Sequence, residues 1–167
     1  MSKSSPELQT TLTRIHDLGR QGEALAAAYL DQLGLRIVAA NFIVAVGRNR
    51  IGAVVQTEID LIAYEGPILC FVEVKTRASD WFAPPSANVD LRKQRQVTRA
   101  ARVYRRMFGL LEDPHRFDVV SVVLPPTEAQ EFAKEADATN TFQIELLRNF
   151  WSEGKFRKRW PFEVHWD

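Results

Sequence analysis

The apolar, β-prone run at residues 67–76 (PILCFVEVKT) is broken by Glu73 and Lys75, and that interruption constrains the fold more than any other feature. Side chains of a strand alternate between its faces, so Glu73, Lys75 and Arg77 share one face and Cys70, Val72 and Val74 the other. Residues 53–64 read as the preceding strand, with Glu58, Asp60 and Ile62 on one face. Glu65-Gly66 is a tight-turn signal. A two-residue turn there pairs Asp60 with Phe71 and sets Asp60 and Glu73 diagonally on one face, within about 8 Å. Buried charges need partners or a cation. Carboxylates with a main-chain carbonyl are hard oxygen ligands suited to magnesium or manganese. A nearby lysine orients or helps deprotonate a metal-bound water. An exposed face with ordinary ion pairs, Glu73 to Lys75 or Arg77, accounts for the same spacing. Against it stand the apolar flanks and the charge pattern of the helix that follows.

That helix spans 89–110. Arg92, Arg95, Arg99, Arg102 and Arg106 form a stripe about 80° wide. Val97, Ala100, Ala101, Tyr104, Phe108 and Leu111 lie opposite. The helix is expected to pack its apolar side on a sheet and to present an arginine ridge. Phosphate backbones suit such a ridge, because each guanidinium offers a charged fork to phosphate oxygens. A solvated face is the alternative, although no acid within the helix compensates the arginines and like charges at i, i+4 repel. Lys93 lies on the apolar side. It either snorkels from the first turn or reaches the Asp60/Glu73 face or a nucleic-acid phosphate bound there.

The formal net charge of +1 conceals this pattern. Residues 91–111 carry seven Lys/Arg and no acid, and residues 148–160 carry five Lys/Arg and one acid. Two basic blocks therefore sit on an acidic body. At 167 residues, 46% hydrophobic and 26% charged, the chain has a globular composition and the size of one domain. The single cysteine, Cys70, excludes an internal disulfide framework and a Cys-cluster metal site. No apolar run reaches about 18 residues, so no membrane span is expected. The opening MSKSSPELQTTLTR lacks the apolar core of a secretory signal, and a cytoplasmic location is the expectation.

Residues 7–33 read as helical, with Gly19 and Gly22 as candidate break points and Gly34 as a stop. Glu23 lies at the border of the buried face, either as an ordinary border residue or as a third acid aimed at the same site. Residues 35–46 read as a strand and GRNRIG (47–52) as a hairpin loop. Segment 78–88 is loop, 116–124 a strand, 127–137 a short helix or excursion, and 141–147 a last strand. The remaining tail mixes bases and aromatics, suited either to stacking on nucleobases or to docking on its own domain. His16, His115 and His165 lack ligand-like spacing, and Ser121 and Cys70 have no evident base beside them. The order helix, three-strand meander, helix, strand implies an α/β fold, a mixed central sheet flanked by helices.

The stretches GRQGEALAAAYLDQLGLRIVAANF, TEIDLIAYEGPILCFVEVKTR, LRKQRQVTRAARVY and RFDVVSV, in that order, resemble the YraN-like family of bacterial proteins. That family belongs to the PD-(D/E)XK nuclease superfamily and is similar to archaeal Holliday-junction resolvases. The likeness spans about residues 19–124, with IELLRNFW at 144–151 similar to its final strand. It implies a restriction-endonuclease-like core in a domain over 1–151, followed by a tail over 152–167. It also implies roles. Glu23 matches the acid of the first helix, Asp60 the metal-binding aspartate, and Glu73 and Lys75 the ExK pair. The Val74 carbonyl is a further metal ligand, and Lys93 matches the lysine that opens the second core helix. One or two magnesium or manganese ions are the implied cofactor, and a homodimer the implied assembly. Thr57 replaces a usual glycine, the 44–56 segment is longer than the family's hairpin, and the tail has no counterpart.

Three functions follow as expectations. The first is a metal-dependent endonuclease acting on DNA, branched or otherwise structured, whose arginine ridge grips phosphates. The second is a nucleic-acid-binding module with the same fold and no efficient cleavage, working in a repair or uptake assembly. The third is a protein-interaction domain whose ridge meets an acidic partner.

Overall fold

The computed structural model describes residues 6–78, 89–124 and 142–156, and the side chains of the first helix from His16 onward. Of the expected loop at 78–88, Ala78 belongs to the third strand; residues 79–88, the expected excursion at 127–137 and the tail beyond 156 lie outside the described residues. The elements are α1 (Pro6–Gln32), β1 (Arg36–Arg48), β2 (Val54–Glu65), β3 (Ile68–Ala78), α2 (Leu91–Met107), β4 (His115–Leu124) and β5 (Gln143–Trp151). A short 3-10 turn, Glu153–Phe156, follows.

The five strands form one mixed sheet in the order β1-β2-β3-β4-β5. All neighbours are antiparallel except β3 and β4, which run parallel and are joined across the sheet through α2. α1 covers one face, burying Ala26 and Leu30 against Leu61, Cys70, Val72, Val120 and Val122. α2 covers the other, where Val97, Ala100, Ala101 and Tyr104 meet Ile59, Ile62, Phe71, Phe117 and Trp151. This is the expected α/β architecture, a five-strand mixed sheet between two helices, and it is compatible with a restriction-endonuclease-like core. Among the described residues no helix is long and apolar enough to cross a membrane.

Four expectations change. First, α1 does not divide at Gly19 or Gly22. Gly22 instead packs directly on Thr76, where a Cβ would have no space. Its missing side chain serves close helix–sheet approach rather than a break. Second, the β2–β3 turn is Gly66-Pro67, not Glu65-Gly66, because Glu65 pairs with Ile68 and Leu61 with Val72. Gly66 supplies the positive φ of 56°. Continued one step past its last pair, Leu61–Val72, this register sets Asp60 opposite Glu73 rather than opposite Phe71. Third, α2 ends at Met107 instead of 110, because Gly109 turns the chain at a φ of 70°. Phe108 and Leu111 are consequently exposed rather than buried on the apolar side.

The fourth change concerns alternation. Ile59 and Ile62 both pack under α2, whereas Leu61 packs under α1. The strand rotates between them, beside Asn41 of β1, which adopts a φ of 52°. Glu58 consequently lines a cavity on the α1 side and does not share Ile62's face.

Candidate active site

Asp60 sits at the rotation in β2, where the β2–β3 ladder ends. The last paired residues are Leu61 and Val72. Beyond them the Val74 N–H donates to Asp60 Oδ2 at 2.7 Å, so a side chain replaces the main-chain partner that the parted strand withdraws. Asp60 is 8% exposed and Glu73 1%. The sheet thus buries two carboxylates at one spot.

Lysines compensate them from two elements. Lys75 Nζ lies 2.9 Å from Glu73 Oε1. Lys93 Nζ lies 3.0 Å from Glu73 Oε2 and 3.9 Å from Asp60 Oδ1. Asp90 positions Lys93 by capping α2, accepting the Lys93 N–H at 2.7 Å. Of the two readings open for Lys93, the structure shows the reach to the acids. Burial, and then the charge of Glu73, push the Asp60 carboxyl up to about 7, while Lys93 and the Val74 N–H pull it down. Burial works against the Lys93 charge, but Asp60 and Glu73 outweigh it and raise the ammonium.

Glu23 approaches from α1. Its Oε2 accepts a hydrogen bond from Asn41 Nδ2 at 2.9 Å, and its charge acts on Asp60. Asn41 carried no role in the sequence reading. Its signal is visible in retrospect, as an asparagine set within the β-branched stretch RIVAANFIV. Glu23, Asn41 and Glu58 share the wall of a cavity of about 650 Å³ between α1 and the β1–β2 pair. Glu23 stands on that side, whereas Lys93 stands on the α2 side.

The donor chemistry fits a hard divalent cation. Two carboxylates are held together against their repulsion, and positive charge already bridges them. Asp60, Glu73 and the Val74 main chain are contiguous. Among the described residues no cluster of three or more His, Cys, Asp or Glu forms, so Glu23 stands outside the pair.

The arginine ridge is divided. Arg92, Arg95, Arg99 and Arg106 are exposed. Arg102 Nε pairs with Glu153. Arg105, outside the expected stripe, is buried, and it holds Leu110 O at 3.2 Å and Glu153 Oε2 at 3.2 Å. His115 Nε2 meets the same Glu153 oxygen at 3.0 Å. Trp151 stacks on Phe117 and donates to Thr98 Oγ1, and Lys155 Nζ reaches Gln94 Oε1. The chain after β5 thus docks along one flank of α2, while the Arg95 guanidinium lies over the Phe156 ring.

Comparison with known proteins places these features. The model of a family described as "Uncharacterised protein family UPF0102" matches residues 22–122. A UPF0102 protein of Chlorobium limicola is 39% identical over 139 residues, 83% of this chain and 95% of the relative. One from Chlorobium chlorochromatii is 41% identical over 138 residues, 82% of this chain and 93% of the relative. A third, from Geobacter sulfurreducens, is 38% identical over 127 residues, 76% and 89% of the two chains. The matched span runs from Gly22 to Val122 and so includes Glu23, Asn41, Asp60, Glu73, Lys75 and Lys93.

Proposed function

The chain belongs to the UPF0102 family, the YraN-like proteins, and on that premise we propose that it is a metal-dependent endonuclease hydrolysing phosphodiester bonds in branched or otherwise structured DNA. The observation that carries this reading is the buried Asp60–Glu73 pair bridged by Lys93 at the end of the β2–β3 ladder. The resemblance to the PD-(D/E)XK nucleases and the Holliday-junction resolvases supports it.

In this reading Asp60, Glu73 and the Val74 carbonyl would hold one or two magnesium or manganese ions. The ion supplies positive charge against the phosphate and lowers the pKa of water. The chain's own groups do the rest. Lys75 Nζ, held 2.9 Å from Glu73 Oε1, orients the attacking water. Glu23, fixed by Asn41, adds negative charge on the α1 side of the site. Arg92, Arg95, Arg99 and Arg106 bind phosphates along α2 and set the register of the backbone over the acids. Lys93 neutralises the carboxylates when no substrate is bound.

Calorimetry with magnesium and manganese on the parent and Asp60→Asn tests the ion. Cleavage of four-way, flapped and linear DNA by the parent and Glu73→Gln tests the chemistry. Binding lost in Asp60→Asn, with cleavage lost and DNA binding kept in Glu73→Gln, is the expected pair of results. Equal cleavage by Glu73→Gln and the parent refutes the assignment.

One observation favours a second reading, a nucleic-acid-binding module without efficient cleavage. Lys93 already supplies a positive charge to both carboxylates. That module binds DNA in a salt-dependent way and shows no nicking with any divalent metal.

A further inference from the structure

β1 and β2 continue together well past the point where β3 leaves them. Their pairing runs on through Val44–Thr57 and Ala45–Gln56 to Arg48–Val54, whereas β2 and β3 stop at Leu61–Val72. Beyond Asp60 the sheet therefore splits, and β1–β2 run on as a two-stranded ribbon beside the still-paired β3–β4–β5, toward the end of the sheet that carries Lys75. Val54 lies six positions before Asp60 on β2, a reach of about 20 Å.

The ribbon is stiff. Phe42, Val44 and Val46 pack on the core beneath α2, with the Phe42 ring edge-on to Tyr104. Its turn is fixed by one side chain, since Asn49 Oδ1 accepts the Ile51 N–H at 3.1 Å and the Ala53 N–H at 2.9 Å. Arg48 closes it from the other strand by donating to Gly52 O at 2.7 Å. A turn so fixed has little conformational freedom left to lose on binding.

What it presents is unusual. Ile51 is 88% exposed at the tip, beside the exposed Arg50. Residues 42–57 contain two arginines and no acid. An isolated exposed isoleucine needs no explanation. An isoleucine held out by a locked turn, flanked by positive charge and on the same strand pair as a candidate nuclease site, has the features of a wedge for stacked bases.

We propose that this ribbon is a DNA probe, in which Arg50 contacts backbone phosphate and Ile51 inserts at a base step already weakened by a branch. The inference rests on the reading of the acid site as a DNA-cleaving centre and names the feature of the substrate it selects. A two-stranded ribbon fits the major groove, which is about 12 Å wide. Apolar side chains inserted between bases unstack them at a cost of a few kcal/mol, and that cost is least where stacking is already broken. The reach of about 20 Å covers Asp60 to Val54, and Ile51 lies beyond it at the turn, so the tip stands roughly six or more base pairs from the acids at about 3.4 Å each. A branch held by Ile51 thus sets which phosphate lies over the acids.

The test compares the full chain with Ile51→Ser and Arg50→Ser. Both changes lie at an exposed turn and leave Arg48, Asn49 and Gly52 in place. Binding is measured to a four-way DNA and to linear duplex of the same sequence, each with 2-aminopurine at the branch or at the equivalent position. The parent is expected to raise 2-aminopurine fluorescence at the branch. Ile51→Ser loses that signal and roughly tenfold of its branched-DNA affinity, with linear binding unchanged. Arg50→Ser weakens both and lowers the salt slope by about one. Magnesium binding is the same in all three proteins. If the parent binds both DNAs and Ile51→Ser matches it in affinity and fluorescence, the probe is overturned and the nuclease reading stands. If the parent binds neither DNA, both fall. An Ile51-dependent protein partner found without DNA binding also overturns the probe.

Discussion

Gly22 of α1 lies against Thr76 of β3 with no space for a side-chain carbon between them. Glu23 follows immediately, so this contact sets how far the third acid stands from the sheet. Gly22→Ala should lower stability by about 1–3 kcal/mol through overpacking and weaken any property that depends on Glu23. Thr76→Ala removes the hydroxyl and methyl that the new carbon meets, and should restore part of the loss. Urea unfolding of the single and double variants gives the coupling. Additive effects, within about 0.5 kcal/mol, refute the contact as the cause.

Lys93 bridges Asp60 and Glu73, so its removal takes from both buried carboxylates the ammonium they share and leaves Glu73 its contact with Lys75. Breaking a buried pair from one side costs about 3–5 kcal/mol, and the exposure of this lysine keeps the expected loss for Lys93→Met toward the lower end. The same change should tighten magnesium binding, because the cation then meets no competing ammonium. Melting in chelator and in magnesium checks both effects. The expected result is a larger magnesium-induced rise in Tm for Lys93→Met than for the parent, and an equal or smaller rise refutes the competition.

Asp60 has a defined pH signature. Its carboxyl is raised from 3.8 to about 7 by burial and by Glu73. A folded-state pKa above the unfolded value means stability that is fully present below the unfolded pKa and is lost as pH rises through the folded one. The window is therefore about 4 to 7. Asp60→Asn removes this dependence, so the variant should gain on the parent as pH rises, by up to a few kcal/mol in the absence of divalent metal. Cation affinity in the parent should rise through the same window, because binding expels the proton. Unfolding at pH 5 and pH 8 in chelator decides it, and a parent–variant difference independent of pH counts against the assignment.

The sequence made the sheet legible because its pattern and its turn residues point the same way. The charges at 73 and 75 within PILCFVEVKT marked the site, and Lys93 on the apolar side of α2 marked a second element aimed at it. Two things were less legible. Register depends on which two residues form the turn, and Glu65-Gly66 and Gly66-Pro67 both suit one. The slip is by two residues in pairing, so it keeps every face and moves only the distance between acids. Strict alternation also fails at Asp60, where Asn41 at positive φ accompanies a rotation of the strand pair. A period-two reading contains no term for that. It therefore placed Glu58 with Asp60, whereas the structure sets Glu58 with Glu23 across a cavity.

Far from the site, Glu65 anchors the lower end of the sheet. Arg148 Nη2 reaches its Oε1 at 2.7 Å, and Arg116 pairs with its other oxygen while also holding the buried Asp118 at 2.8 Å. The hydrogen bond from Arg148 lowers the Glu65 carboxyl most, burial opposes it, and the hydrogen bond from Arg116 adds to the lowering, so that the group is held at about 2 instead of 4.5. A folded pKa below the unfolded one gives stability present above about 4.5 and lost as pH falls toward 2. Solvent screens the pair with Arg148, so Glu65→Gln should cost on the order of 1 kcal/mol at pH 7. The difference in Tm between variant and parent should shrink at pH 3. A constant difference across that range removes the ion pairs as its source.

Arg99 and Arg102 sit three residues apart on α2 yet face different tasks. Arg99 is exposed with no acid beside it in the helix, whereas Arg102 Nε is engaged by Glu153 of the 3-10 turn. A guanidinium already paired with a carboxylate must give up that pair before it meets phosphate, and it releases no net counterion if it does not. Arg99→Ala should therefore reduce the slope of log affinity against log salt by about one, and weaken binding equally across DNA sequences. Arg102→Ala should leave the slope within error of the parent. It should instead lower stability, because Glu153 loses one of the cationic partners it shares with Arg105 and His115. Salt titrations of both variants on one duplex, with a melting curve for each, separate the roles. Equal slope changes would show that the docked turn leaves α2 on DNA binding and that the whole ridge then faces phosphate.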